Sequence, residues 1–338
     1  MKRMTVAEAL REALRQEMKR DERVFCIGED IGIPGGFGGA FTVTLGLAEE
    51  FGRERVRDTP VSEKAIVGAA VGAALMGMRP VADVQYSDFL FCAMDEIVNQ
   101  AAKMTYMSGG KLKVPMVLRA PVGATTRGAQ HAQSPEPFFI CIPGWKVAVP
   151  ATAYDALGLL KTAIRDDSPV LVFEHKLLYG SKGPRAEKGT IDASSEIPDE
   201  EYTIPFGVAD IKRKGTDVTV VATLLMLHRT LAAAEELAEE GISVEVFDPR
   251  TLVPFDLEAL LRSLEKTGRL VIVEESPKRG GWGGEVAAMV AEEGFYLLDT
   301  PIKRVAAYDT PVPFAPVMED FVIPSQARIA SAIREVVR

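Results

Sequence analysis

Pro60-Val61-Ser62-Glu63, running into Ala65-Ile66-Val67-Gly68-Ala69-Ala70-Val71-Gly72-Ala73-Ala74, is the stretch on which the reading of this chain turns. It sets one carboxylate in the first turn of a helix built almost wholly from small apolar residues. Glycines at 68 and 72 let a neighbouring backbone approach closely, as in a tightly packed core or a subunit interface. Ser62 reads as the N-cap, and an acid in the first turn gains about 0.3–1 kcal/mol from the unpaired N–H groups there. Two readings of Glu63 follow, a buried helix cap or a catalytic group. An ionised carboxylate in such surroundings must be paired, or must shift its pKa and hold a proton.

Outward from this helix, strand and helix signals alternate. Thr5 and Glu8 form a capping-box pattern ahead of apolar residues at 6, 9, 10, 13, 14 and 18, a helical period. Val24 to Ile27 reads as a short buried strand, and Pro80 ends the small-residue helix ahead of a strand at 81–84. A long helix is expected from Phe89 to Met107, stopped by Gly109-Gly110. Strands follow at 114–118, 147–149 and 170–173, with a helix capped by Thr152 running to Arg165 between the last two. Residues 183–205 carry no apolar period. Beyond them the same grammar repeats, with strands at 218–222, 244–247 and 270–273 between helices at 228–240 and 256–266, and Gly280 to Gly284 entering a last helix. Such alternation predicts α/β architecture with two parallel-sheet domains, at residues 1–184 and 206–338, joined by a linker at 185–205.

At 338 residues the chain exceeds one ordinary core. With 39 basic and 48 acidic residues its net charge is −9, which excludes a nucleic-acid partner bound through clustered Lys and Arg. The longest apolar run, 65–78, falls short of the ~20 residues that span a bilayer, so no membrane role is expected. The opening MKRMTVAEAL carries no apolar signal-peptide core. Cys26, Cys92 and Cys141 show no CxxC spacing, which suits a reducing cytoplasm.

Two glycine-rich stretches, Gly35 to Gly39 and Gly280 to Gly284, lack both GxxxxGK[ST] and GxGxxG, so a nicotinamide dehydrogenase is disfavoured. His131 lies in the loop Gly123-Ala124-Thr125-Thr126-Arg127-Gly128-Ala129-Gln130-His131-Ala132-Gln133-Ser134, after a predicted strand. It is either a surface histidine or a group that moves protons in the crevice at the carboxyl ends of the strands. His175 and His228 read as structural. Phe89 and Tyr86 open the expected long helix, where aromatics usually belong to a core.

From end to end the chain resembles the β subunit of the thiamine-diphosphate-dependent decarboxylating component of 2-oxo acid dehydrogenase complexes, a transketolase-like family. The resemblance rests on AEALREAL near the start, GEDIG at 28–32, RDTPVSEKAIVGAAVG, VNQAAK, YMSGG, RGAQHAQSPE, PGWKVAVP, AIRDDSPV and YDTP at 308–311. It implies a pyrimidine-binding domain followed by a transketolase C-terminal-like domain. It also implies that Glu63 hydrogen-bonds the aminopyrimidine of thiamine diphosphate and favours the imino tautomer that deprotonates the thiazolium carbon. His131 is implied in handling the intermediate and in acyl transfer to a lipoyl arm, and Phe89 in packing against the pyrimidine. A structural potassium site is implied at Met116, Ala163, Ile164, Asp166 and Ser168.

Two positions depart from the family pattern: Ala132 stands where serine usually follows the histidine, and Ser168 where asparagine is common. The chain also lacks the Gly-Asp-Gly and Asn-Asn motif that anchors magnesium and diphosphate in the superfamily. An α subunit is therefore implied as partner, in a heterotetramer of two α and two β, together with a lipoyl-bearing acyltransferase core docked through the C-terminal domain. Pyruvate, a branched-chain 2-oxo acid and acetoin are the expected substrates. The alternatives are an acetoin dehydrogenase β subunit and a non-catalytic scaffold for the acyltransferase core.

Overall fold

Capping fixes where the first helix starts: Thr5 Oγ1 accepts from the Glu8 N–H at 3.3 Å, and Glu8 returns a carboxylate to the Thr5 N–H at 2.9 Å. The computed structural model of the chain describes residues 1–181 and 187–338. Its first half runs β1 (Lys2–Met4), α1 (Val6–Arg20), β2 (Val24–Glu29), α2 (Leu47–Phe51), β3 (Val56–Thr59), α3 (Glu63–Leu75), β4 (Arg79–Asp83), α4 (Met104–Met107), β5 (Val117–Val122), α5 (Glu136–Ile140), β6 (Lys146–Ala148), α6 (Ala153–Arg165) and β7 (Val170–His175). The second half runs β8 (Ser195–Ile197), β9 (Asp210–Arg213), β10 (Val218–Ala222), α7 (Leu224–Glu239), β11 (Val244–Asp248), β12 (Thr251–Val253), α8 (Leu257–Thr267), β13 (Leu270–Pro277), α9 (Trp282–Glu293), β14 (Lys303–Ala307), α10 (Pro316–Val322) and α11 (Gln326–Val337).

Seven strands form the larger sheet in the order β12-β6-β7-β5-β4-β2-β3, and five the smaller in the order β14-β13-β10-β11-β9. Their central strands are buried along their whole length and mostly apolar, as parallel strands covered on both faces must be, with Arg119 of β5 paired to Glu174 of β7 inside the larger sheet. Each sheet nonetheless ends in an antiparallel strand, β12 against β6 and β9 against β11. β12 belongs to the second half by sequence but to the first sheet by hydrogen bonding, so a strand crosses between the halves. The junction is also charged: Asp155, fully buried in the first turn of α6, accepts from Lys212 at 2.6 Å and from Arg250 at 2.8 Å.

The expected linker is not free chain. β8 pairs antiparallel with β1, Lys2 opposite Ile197, because Ser195 to Ile197 can satisfy its backbone on the open edge that β1 offers. The proposed boundary at 184/185 and the linker's first two residues lie outside the described residues.

The long helix expected from Phe89 to Met107 is instead three pieces: a 3₁₀ segment at Ser87–Ala93, a π-helical segment at Glu96–Ala101 and the short α4. Ile97 shows why. Its carbonyl accepts from the Ala102 N–H, five residues on, at 3.2 Å and from the Trp145 indole N–H at 2.9 Å. An outside donor drawn into the ladder widens the turn.

Candidate functional site

Parallel strands deliver their carboxyl ends to one edge of a sheet, and ligands of α/β proteins sit there. In the larger sheet that edge collects Glu29 at the end of β2, Glu63 after β3, residues 85–89 after β4, the 123–134 loop after β5, and His175-Lys176 at the end of β7. Gln85 ties two of these together, donating to the Glu29 carbonyl at 2.7 Å and accepting from the Ala40 N–H at 2.7 Å.

Glu63 is the first residue of α3, as expected, with Ser62 at the N-cap position; the Ser62 hydroxyl makes no capping bond. In the chain by itself this helix is not covered all round. Glu63 is half-buried and has no hydrogen-bond or ion-pair partner among the described residues, while Ala65, Ala69 and Gly72 leave one side of α3 bare. Its charge is felt next door, where burial, then Asp30, Glu63 and Asp58, push the Glu29 carboxyl above its ordinary range.

Phe89 and His131 are brought together. The imidazole stands edge-on to two rings, 5.3 Å from Phe89 and 5.2 Å from Tyr86 between centroids. Phe89 is half-buried here rather than a core residue, and His131 is half-buried rather than a loose surface group. Ala132 is 1% exposed. A serine there would bring a hydroxyl needing a buried partner.

The histidine loop is held from several sides by residues that sequence reasoning passed over. Asp88 accepts from the Gln133 main chain at 3.2 Å and its side-chain amide at 2.9 Å. From the second half, Glu275 accepts from the Ala124 N–H at 2.7 Å, and Glu319 takes the Thr126 N–H with both oxygens at 2.8 and 2.9 Å. Glu275 also pairs with His175 at 2.9 Å. The Leu177 N–H donates to Nδ1 of His175, so Nε2 carries the proton and donates to Glu275. Burial pushes the Glu275 carboxyl up, but His175 and the Ala124 N–H outweigh it and leave it below its ordinary range. Gly123 has to be glycine: its φ is +96°, and a Cβ would fall 1.9 Å from the His175 ring. The only signals in the sequence were charged residues in apolar strand ends, FEHKLLY and VIVEESP.

A cavity of about 440 Å³ opens between this loop and the second half, lined by Ala132, Gln133, Ser134 and Phe138 on one side and Glu275, Arg279, Asp309 and Thr310 on the other. The 308–311 motif thus helps to build its wall. Near it, Glu136 is buried with one carboxylate oxygen unpartnered, and burial lifts its pKa to about 8.

The oxygens suggested for potassium lie elsewhere, where β5 and β7 begin. Ile164 and Asp166 carbonyls accept from Arg79 at 3.0 and 2.9 Å, the Met116 carbonyl from the Val170 N–H at 3.0 Å, and the Ala163 carbonyl from the Asp166 N–H at 3.3 Å. The Asp166 carboxylate pairs with Lys146 and accepts from the Ser168 N–H at 2.8 Å. The donors are all oxygens, the type a hard cation takes, and three of them already face the Arg79 guanidinium or the Lys146 ammonium. Among the described residues no cluster of three His, Cys, Asp or Glu could hold a metal ion.

The glycine-rich stretches are no phosphate cradles. At α9 the Gly283 N–H is already taken by the Glu274 carboxylate at 3.0 Å, and at 35–39 the backbone folds against residues 44–45, where a Cβ on Gly38 would fall 2.0 Å from the Leu45 nitrogen. Among the described residues no helix is long and apolar enough to cross a membrane.

A carboxylate and a boxed histidine at the strand ends of one parallel-sheet domain, clamped by a second, define a transketolase-like protein. The transketolase pyrimidine binding domain matches residues 2–182, and the transketolase C-terminal domain matches 207–329. Three Bacillus subtilis (strain 168) proteins narrow the class: the acetoin:2,6-dichlorophenolindophenol oxidoreductase subunit beta (45% identical, 98% of this chain and 96% of that protein), the 2-oxoisovalerate dehydrogenase subunit beta (45%, 98% and 98%) and the pyruvate dehydrogenase E1 component subunit beta (42%, 99% and 99%). The chain belongs to this family, the β subunits of the decarboxylating component of 2-oxo acid dehydrogenase complexes. A split-gene transketolase, solved as an inactive β4 tetramer, shares the fold with a TM-score of 0.76 at 23% identity, over 99% of this chain and 98% of that one.

Proposed function

We propose that this chain forms the pyrimidine-side half of a thiamine-diphosphate-dependent active site and works with an α subunit, as two α and two β, to decarboxylate a 2-oxo acid and acylate lipoyl groups. One observation carries the reading: Glu63, half-buried and unpartnered among the described residues, stands on the same strand-end edge of the larger sheet as His131, which is boxed by Phe89 and Tyr86. A carboxylate at a helix start, without an internal partner, suits a proton shared with a ligand nitrogen. An aromatic ring left half-open suits a flat heterocycle.

When bound, thiamine diphosphate supplies the electron sink for loss of carbon dioxide. Glu63 would hold the proton at the aminopyrimidine nitrogen, Phe89 would pack on that ring, and His131 would hold or release a proton at the reacting oxygen. Magnesium and the diphosphate fall to the α subunit, since this chain lacks their anchoring motif. A lipoyl-bearing acyltransferase core would dock on the C-terminal domain. Potassium at Met116, Ala163, Ile164, Asp166 and Ser168 would brace the far end of the sheet, remote from the reaction. The unpaired Cys92 and Cys141, both exposed, suit a cytoplasmic setting.

Near-equal likeness to the acetoin, branched-chain and pyruvate relatives leaves all three substrates in play. The experiment is reconstitution with the α subunit and dye reduction with each in turn. Turnover of pyruvate or a branched-chain 2-oxo acid supports the reading, turnover of acetoin alone replaces it with an acetoin dehydrogenase β subunit, and silence toward all three from an assembled, cofactor-loaded tetramer removes it in favour of the scaffold.

A further inference from the structure

Lys176 follows β7 and is fully buried. Its Nζ donates to the carbonyl of His131 at 2.5 Å and lies 5.0 Å from the centre of the Tyr86 ring, one of the two rings that box the imidazole. One ammonium therefore touches both the main chain of the histidine and a wall of its box. A carbonyl only accepts, so Nζ acts here as a donor and not as a base or nucleophile. Burying an ammonium is costly unless it is bonded, and this one is bonded to the backbone of the single loop residue that carries the titratable ring.

Resting on the reading above, we infer that Lys176 is a positioning residue for His131: it fixes the main chain of the loop so that the imidazole keeps its place between Tyr86 and Phe89. The other clamps, Asp88, Glu275 and Glu319, hold residues 133, 124 and 126. Lys176 alone among these holds residue 131.

The charged groups facing Lys176 are Asp88 before it in the crevice, Glu275 from β13, Arg127 on the loop, and Glu187. Burial, opposed by Asp88 and Glu275, brings its pKa down to about 8. Deprotonation weakens the charge-assisted bond to His131, so the loop should loosen on the alkaline side of neutrality.

The test uses Lys176→Met and Lys176→Arg in the full chain. In the tetramer with α, Lys176→Met should lower kcat for lipoyl acylation by roughly a hundredfold, leave KM for the 2-oxo acid within about twofold, and abolish the alkaline limb of the wild-type pH profile. Lys176→Arg should recover most of kcat and move that limb upward. In the chain without α, amide exchange across 128–134 should quicken about tenfold in Lys176→Met and stay near wild type in Lys176→Arg. Wild-type kcat, pH profile and exchange in Lys176→Met would overturn the inference. Should the wild-type tetramer turn over no substrate, the functional reading fails, and the exchange measurement still decides the role of Lys176.

Discussion

Glu63 and His131 differ in what surrounds them, and that difference sets what each substitution should do. Glu63 has no partner to lose among the described residues, so Glu63→Gln should leave thermal unfolding unchanged. In the assembled enzyme it should lower dye-reduction turnover by roughly a hundredfold or more, because an amide cannot share the proton. His131→Ala removes a ring packed edge-on to two aromatics but leaves its main-chain bonds. It should slow reduction of lipoyl domains by about a hundredfold and affect the dye-linked decarboxylation step less, as stopped-flow comparison of the two reactions would show. Both residues were recognisable as candidates in the sequence, one from a carboxylate before a small-residue helix, the other from a histidine in a polar loop. Lys176, Glu275 and Glu319 were not. Their importance comes from bonds to backbone groups 45 to 193 positions away, and side-chain identity alone does not encode such partners.

Among the elements, two strands with continuous apolar runs fall where the sequence puts them, 218–222 as β10 residue for residue and the Val170 strand running on to His175, whereas the strand expected at 114–118 starts only at Val117 and runs to Val122. The long helix at 89–107 was misread because its periodicity is helical while the Trp145 indole, supplied from the chain beyond it, resets its hydrogen bonds. β8 and β12 carry no sequence signal, since three residues of mixed character show neither a period nor an apolar run. α3 was expected buried, and its uncovered side is where a partner subunit would lie. At Gly72 a Cβ meets nothing within 4 Å, so Gly72→Ala should stabilise the isolated chain by about 0.5–1 kcal/mol, read by denaturant midpoint. Ala69, exposed on the same helix, is the place for bulk: Ala69→Trp should leave the lone chain folded and prevent assembly with α, read by sedimentation.

Over the whole molecule, the seam between the halves brings buried charged groups against the histidine loop. Glu136, buried there, titrates near pH 8 in the fold against 4.5 for an ordinary glutamate. Between those values the folded chain keeps a proton that the unfolded chain releases, so stability falls as pH rises through the window, by up to about 1.4 kcal/mol per pH unit. Glu136→Gln should flatten that decline in a melting series from pH 5 to 8. On the proposed reading the pyrimidine-side groups lie on this chain, whose sequence lacks the motif that anchors a diphosphate. A cofactor held only by a shared proton and an aromatic face forfeits the charged contacts that dominate its binding, since a diphosphate gains most from a metal ion and aligned N–H donors. The isolated chain should therefore bind thiamine diphosphate with magnesium only weakly and show no decarboxylase activity, and adding the α subunit should restore both together. Calorimetry on each subunit and on the mixture measures this directly. Tight binding by this chain alone, with turnover, would place the second half of the site on residues 1–338 after all.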